Sequence, residues 1–219
     1  MKILALEFSS RMRSVAAVKA GPGEQPAAVA TGSDLGSRGT RAFQLITTVL
    51  KEAAWERDDV DTIAVGLGPG SYHGVRVAIA IAQGWSVAKK VRLIGVSSAD
   101  ALAAMLVLKG QQAPFIVVID AQRGEFYRAD YTVESGVARE VCALRLAKTA
   151  EIHDCLNSGK NVFGPDSADR LPGIREAFPT AATVGFLAAK MPTETSGASL
   201  EPIYLREPAF VKAPPPRFA

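Results

Sequence analysis

Histidine and cysteine are scarce in this sequence. Its 219 residues include two histidines, His73 and His153, and two cysteines, Cys142 and Cys155. Two distant histidines exclude a metal centre built from several histidine ligands. The two cysteines lie in unrelated contexts and offer neither a disulfide framework nor a Cys-x-x-Cys pair. We therefore expect both thiols to be reduced and structural.

Long apolar runs and clusters of one charge are also missing. No stretch of about 18 apolar residues is present to cross a bilayer. The apolar start of the chain is followed at once by Glu7, which is not typical of a signal peptide. The net charge is +3 and the basic residues are dispersed, so a strong nucleic-acid footprint is not indicated. We expect a globular, cytoplasmic protein that does not bind membranes.

A glycine-rich segment, residues 66–74, follows an apolar strand and opens an alanine-rich helix. It reads Gly-Leu-Gly-Pro-Gly-Ser-Tyr-His-Gly. Glycines let backbone N–H groups approach a ligand, and a helix N-terminus favours anions, so Gly68, Gly70 and Ser71 are candidate anion or nucleotide contacts. The segment lacks the Gly-Lys-Ser/Thr ending of a Walker motif and the glycine spacing of a dinucleotide site. We favour a tight strand-to-helix connection that sets the pose of the helix.

Few side chains are candidates for chemistry. Ser71 and His73 could form a nucleophile and base pair, but residues two apart diverge in an extended segment, and we favour Ser71 as a helix cap. Glu7 and Asp120 end corresponding strands of two similar units, which makes them candidate cleft carboxylates for a nucleotide and a divalent ion. An actin-like ATPase or phosphotransferase that uses this interlobe cleft is therefore the alternative function. The alternative is a solvated carboxylate at each strand end. We predict no catalytic residue and no resident metal.

The order of the predicted elements indicates a duplicated α/β protein. Residues 2–108 read β-β-β-α-β-α-β-α. The three helices are predicted at 40–55, from the glycine-rich segment to residue 89, and at 97–108. A second unit begins near Ala113 and repeats the strand pattern, with helices at 149–156 and 183–190 and a strand-like end at 202–205. This pattern predicts a two-lobed actin-like or ribonuclease-H-like fold with mixed sheets. The predicted units are a lobe at 1–109, a smaller lobe at 110–210 and a proline-rich tail at 211–219.

The helix after the glycine-rich segment is apolar on nearly two faces. Val75, Ile79 and Ala82 lie on one arc, and a second apolar arc is more than one sheet requires. The second arc either packs under the helix at 40–55 or is covered by a partner, and for the two helices together we favour a partner. The predicted interface residues are Phe43, Leu50, Val77, Ile81, Gly84 and Trp85.

Five stretches follow one another along the chain: residues 63–76 with the glycine-rich segment, Ala82-Gln83-Gly84, residues 93–98, residues 119–127, and Pro202-Ile203-Tyr204-Leu205-Arg206. In combination and in this order, they resemble the TsaB (YeaZ) family. The resemblance implies an actin-like fold of the ASKHA type. It further implies a non-catalytic subunit that supports synthesis of threonylcarbamoyladenosine in tRNA together with its paralogue TsaD and the ATPase TsaE.

The resemblance also implies partners and cofactors. The first two helices would bind TsaD, or a second copy when the protein is alone, and tRNA would be contacted only through the complex. TsaD carries a His-x-x-x-His metal pair where this chain has Ser98 and Leu102, which are not metal ligands. ATP and magnesium are therefore expected only at the level of the complex. The family usually has aspartate where this chain has Glu7.

Overall fold

The structure consists of two five-stranded sheets with helices between and around them. The computed structural model describes residues 1–35, 41–167, 170–191 and 200–205, and the statements below concern these residues. The first sheet has the strand order β3-β2-β1-β4-β5, and the second has the order β10-β9-β6-β7-β8.

The elements follow the chain in two series. The first is β1 (Lys2–Glu7), β2 (Met12–Lys19), β3 (Ala27–Leu35), α1 (Ala42–Glu52), β4 (Thr62–Gly66), α2 (Tyr72–Ala88), β5 (Arg92–Val96) and α3 (Ser98–Leu108). A short 3-10 turn at Arg57–Asp59 precedes β4. The second series is β6 (Phe115–Asp120), β7 (Glu125–Glu134), β8 (Val137–Lys148), α4 (Thr149–Asn157), β9 (Asn161–Gly164), β10 (Arg175–Glu176) and α5 (Ala181–Ala189).

Both sheets have the same topology. In the first, β1 is antiparallel to β2 and parallel to β4. In the second, β6 is antiparallel to β7 and parallel to β9. The edge strands also correspond. Strands β3 and β8 are antiparallel to their neighbours, and β5 and β10 are parallel to theirs. The two-lobed, actin-like α/β fold predicted from the sequence is confirmed.

The side chains of β1 alternate between two apolar layers. Leu4 and Leu6 belong to the cluster that contains α1 and α2, while Ile3 and Ala5 belong to the cluster that contains α5. Because successive side chains of a strand point to opposite faces, a strand between two helical layers is apolar along its whole length. This explains why β1 is a continuous apolar run up to its last residue.

The last helix of each series lies between the two sheets. Helix α5 follows the second sheet in sequence but packs on β1, β2, β4 and β5 of the first sheet. Helix α3 follows the first sheet but packs on β6, β7 and β8, and also on α5. Gly185 permits this close packing, because a Cβ there would lie 2.6 Å from the Cγ2 atom of Val18. The layers are therefore α1 and α2, first sheet, α5 and α3, second sheet, α4.

Some predicted boundaries change. Residues 202–205 form no strand, because among the described residues their backbone pairing with the first lobe consists of one hydrogen bond, from Ile203 N to Leu67 O at 2.9 Å. Strand β10 was not predicted, since it has two residues and both are exposed. Helix α1 begins at Ala42, and residue 40 lies outside the described residues, as do residues 206–210 and the predicted tail at 211–219. The lobe boundary at 109/110 stays a prediction.

None of the described helices has the length and apolar character needed to cross a membrane.

Candidate partner-binding site

The glycine-rich loop lies directly on the turn between β1 and β2. The Ser71 amide donates a hydrogen bond of 2.6 Å to the Ser9 carbonyl oxygen. A Cβ at Gly70 would overlap the same oxygen, and a Cβ at Gly74 would overlap the carbonyl oxygen of Phe8. The glycines at these two positions are therefore needed for close backbone packing within the protein.

The N–H groups of the loop are largely occupied within the chain. Leu67 N donates to Val96 O at 2.8 Å, and Gly68 N donates to Ser98 Oγ at 3.1 Å. Ser71 caps α2, because its Oγ accepts a hydrogen bond of 3.2 Å from Gly74 N. An anion site needs several free N–H groups, so these bonds favour the interpretation of the loop as a tight connection. The capping role of Ser71 is confirmed.

Glu7 is fully buried below this loop. Its Oε1 accepts a hydrogen bond of 2.7 Å from Ser9 N, and its Oε2 accepts one of 2.8 Å from Ser98 Oγ. Burial raises the pKa of Glu7 above its usual range, although the hydrogen bonds from Ser9 and Ser98 partly oppose the shift. Gly66 leaves room for this carboxyl group, because a Cβ there would overlap Glu7 Oε2. Neither the predicted cleft carboxylate nor the solvated alternative is correct.

Asp120 lies at the interlobe cleft and is already paired. Its oxygens accept hydrogen bonds from Gln122 N at 2.8 Å and Gln122 Nε2 at 2.9 Å, and Arg170 Nη1 lies 3.1 Å from both carboxylate oxygens. The cleft has a volume of about 480 Å³, and Asp120 lines it whereas Glu7 does not. The structure thus does not bring these two carboxylates together, and their donor set does not fit a shared divalent ion.

Salt bridges also join the two lobes beside the cleft. Arg11, in the β1–β2 turn, pairs through Nε with Asp166 at 2.9 Å and through Nη2 with Glu176. Its guanidinium group lies 5.5 Å from the ring centre of Phe178. In the ranges of the chain that the structure covers, no three His, Cys, Asp or Glu side chains gather as a metal site would require.

An apolar groove runs between α1 and α2. It has a volume of about 630 Å³ and opens to the surface between the two helices. The residues that line it are Ala42, Phe43, Ile46, Thr47, Arg57, Asp58, Val77, Ala80, Ile81, Gly84, Trp85, Ala88 and Lys89. Five of the six predicted interface residues are in this set. We call this surface the helix groove.

The two faces of α2 have different roles. Val75, Ile79 and Ala82 are buried against the first sheet, which leaves Ile81 and Trp85 partly exposed at the groove. Phe43 of α1 is 71% exposed, an unusual state for an aromatic side chain. A cluster of exposed apolar side chains of this kind marks an interaction surface.

Leu50 corrects one part of the predicted interface. Its side chain is 5% exposed and belongs to the core formed by α1, α2 and the first sheet. In the helix, Leu50 lies on the same face as Ile46, and this face packs on the first sheet. Leu50 is therefore a core residue and is not available to a partner.

Two positions compared with metal ligands in the sequence are structural here. Ser98 is buried and bonded to Glu7, and Leu102 is buried in the core between α3 and the second sheet. Local sequence patterns do not reveal the pairings of Arg11, Arg170 and Tyr204, because their partners are more than 45 residues away along the chain. An invariant pairing across sequences is the signal that could have revealed them.

A family model described as TsaD, tRNA N6-adenosine threonylcarbamoyltransferase, matches residues 40–190. The TsaB protein of Buchnera aphidicola subsp. Acyrthosiphon pisum, named for tRNA threonylcarbamoyladenosine biosynthesis, is 30% identical over an alignment of 160 residues. The match covers 62% of this chain and 72% of that protein. Its Escherichia coli counterpart is 34% identical over 91 residues, which is 42% of this chain and 39% of that protein.

The structure of YeaZ from Pseudomonas aeruginosa superposes on this chain with a TM-score of 0.75 and 24% identity. The superposition covers 93% of this chain and 99% of that one. It establishes the common fold.

Two glycines of the same helix are expected to respond in opposite ways to alanine. Gly74→Ala should lower the free energy of unfolding by about 1–3 kcal/mol, because the new Cβ overlaps the Phe8 carbonyl oxygen and the β1–β2 turn must move. Gly84→Ala meets no atom within 4 Å and should raise it by about 0.5–1 kcal/mol through helix propensity. Urea unfolding of both variants measures the difference, and an unchanged stability for Gly74→Ala would contradict the packing described above.

Glu7→Gln should change how stability depends on pH. The folded protein binds the Glu7 proton more tightly than the unfolded chain, since burial raises its pKa. The free energy of unfolding of the wild type therefore falls as pH rises from the unfolded-state pKa through the folded-state pKa. Glutamine stays neutral, so the variant should lack this loss and gain stability relative to the wild type as pH increases. Urea titrations from pH 4 upwards test this, and parallel pH profiles would count against it.

Proposed function

The chain belongs to the TsaB (YeaZ) family, and we propose that it takes part in the biosynthesis of threonylcarbamoyladenosine in tRNA as a non-catalytic subunit that binds and activates TsaD. The names of the curated relatives support the pathway, and the match to the TsaD family model supports a paralogue of that enzyme. The proposed location is the cytoplasm, where the tRNA substrate is found.

The helix groove is the observation that carries the proposal. A cavity of about 630 Å³ lined by apolar side chains of α1 and α2 offers a partner both a concave surface and the exposed ring of Phe43. Aromatic anchors of this kind supply much of the binding energy at protein interfaces. The groove lies on the outer layer of the first lobe, away from the interlobe cleft.

The composition of α2 favours a helical partner. Ala80, Gly84 and Ala88 line the groove and lie on one side of the helix. Such small side chains allow two helices to approach to about 8 Å between axes, the lower end of the usual range. A paralogue with the same fold would present an equivalent pair of helices, so the proposed contact is a four-helix arrangement.

The non-catalytic role is supported by what occupies the positions where chemistry would be expected. Asp120 is held by Arg170 and Gln122, and Glu7 is buried with Ser9 and Ser98. These carboxylates have structural partners that a substrate or a metal ion would have to displace.

The remaining partners are proposed from the family to which the chain belongs. A second copy of the chain could occupy the groove when TsaD is absent, which gives the proposed homodimer. TsaE would join the complex of the two paralogues, and tRNA would be bound through that complex.

Phe43→Glu should weaken binding to TsaD by about 30-fold, the loss expected when an interface hot spot of about 2 kcal/mol is removed. Trp85→Glu should have a similar effect, because Trp85 lines the same groove. Val141→Glu on β8 is the matched control, since Val141 is 65% exposed and lies in the second lobe. Calorimetric titration with purified TsaD measures the affinities.

Phe43 is exposed, so its substitution tests the interface without disturbing the core, and thermal unfolding checks that each variant is folded. An affinity for TsaD that stays within threefold of the wild type in both Phe43→Glu and Trp85→Glu would place the interface elsewhere.

A further inference from the structure

Arg76 lies on α2 between residues that line the interlobe cleft and residues that line the helix groove, and it contacts two tyrosines of the cleft. Its Nε donates a hydrogen bond of 3.1 Å to the Tyr204 hydroxyl oxygen. Its guanidinium carbon lies 4.2 Å from the ring centre of Tyr72. The two rings also pack on each other, with their centres 5.8 Å apart. These contacts restrict the conformations open to an exposed arginine side chain.

Tyr204 reaches Arg76 because the segment at 200–205 is fixed along the first lobe. Leu200 is buried in the core of that lobe, and Ile203 N donates to Leu67 O at 2.9 Å. Tyr204 follows directly and lies over the first turns of α2. The segment therefore connects a residue far along the chain to the helix that lines the groove.

Arg76 lies on α2 one turn before Ala80, at the side of the groove. Residues four apart lie on the same side of a helix, so Tyr72, Arg76 and Ala80 form one exposed row. Ala80 and Val77 both line the groove. A partner laid along the groove would meet the guanidinium group at its edge.

The charge of Arg76 is not used by a carboxylate of this chain within the described ranges, where the ion pairs of 4.0 Å or less do not include it. The hydrogen bond to Tyr204 engages Nε, whereas the two terminal nitrogens form the fork that binds a carboxylate in a bidentate manner. A cation fixed before binding loses little conformational entropy when it is paired.

We propose that Arg76 is a preorganised anchor that pairs with a carboxylate on the partner in the helix groove, and that Tyr204 is the residue that positions it. This inference rests on the proposed function, because it names a contact of the same partner. The apolar groove supplies binding area, and the arginine fixes the direction in which the partner lies. The acidic group of the partner must therefore fall beyond the end of its apolar face.

The first test compares charge variants by titration with TsaD. Arg76→Glu should weaken binding by about 30-fold or more, and Arg76→Lys by about fivefold because lysine cannot form the fork. Arg139→Glu, an equal charge change at an exposed position of β8, should stay within about twofold. The affinity of the wild type should also fall more steeply with added salt than that of Arg76→Ala.

The second test is a double-mutant cycle for the positioning role. Tyr204→Phe keeps the ring and removes the hydroxyl that holds Arg76, so it should weaken binding by about threefold in the wild type and not at all in Arg76→Ala. The melting temperature should be the same for wild type and Tyr204→Phe. An equal loss in both backgrounds would show that Tyr204 does not act through Arg76.

Each result decides between the two proposals. If Trp85→Glu abolishes binding while Arg76→Glu stays within threefold, the anchor is wrong and the groove remains the interface. If neither variant changes the affinity, or if the wild type does not bind TsaD, both proposals are overturned.

Discussion

The position of α2 depends on a contact between two stretches of backbone. The loop that opens the helix rests on the turn after β1, and the side-chain-free positions Gly70 and Gly74 make that distance attainable. A hydrogen bond from Ser71 N to Ser9 O joins the two stretches at the residue just before the helix. The position of α2, and with it the position of the groove, therefore depends on the turn at the end of β1.

A buried polar cluster secures the same region from below. Glu7 receives hydrogen bonds from Ser9 and Ser98, and Ser98 in turn receives one from Gly68. A buried carboxyl group is tolerated only when its hydrogen-bonding capacity is met. Here its partners are the turn after β1 and the start of α3, and Ser98 connects them to the loop. Ser98 thus serves as a structural hydroxyl at the position that the family resemblance aligns with a metal ligand.

Much of the fold could be predicted because short sequence patterns indicate most of its helices and strands. The apolar run of β1, the helical period of α1 and the glycine-rich loop each indicated their elements, and the repeated order of elements indicated two similar lobes. Helix α2 has apolar residues on two faces, which indicated that one face is not covered by the sheet. The structure shows the groove on that face.

The errors concern residues whose environment is set by distant parts of the chain. Glu7 reads as a strand-end carboxylate, and its burial follows from α3 and the loop closing over it. Leu50 shares a helical face with groove residues, but its side chain is buried because it packs in the core between α1 and the first sheet. The role of residues 200–205 depends on contacts with Leu67 and Arg76, which no local pattern encodes.

The placement of α3 and α5 between the sheets has a consequence for how the chain is made. The inner face of the first sheet is covered by residues 181–189, whereas its strands are complete by residue 96. During synthesis, most of that apolar face stays uncovered until the strands of the second lobe have been made, since α3 contributes Ala101 to it and α5 supplies the rest. The core of the first lobe is therefore completed only after the second lobe has been synthesised.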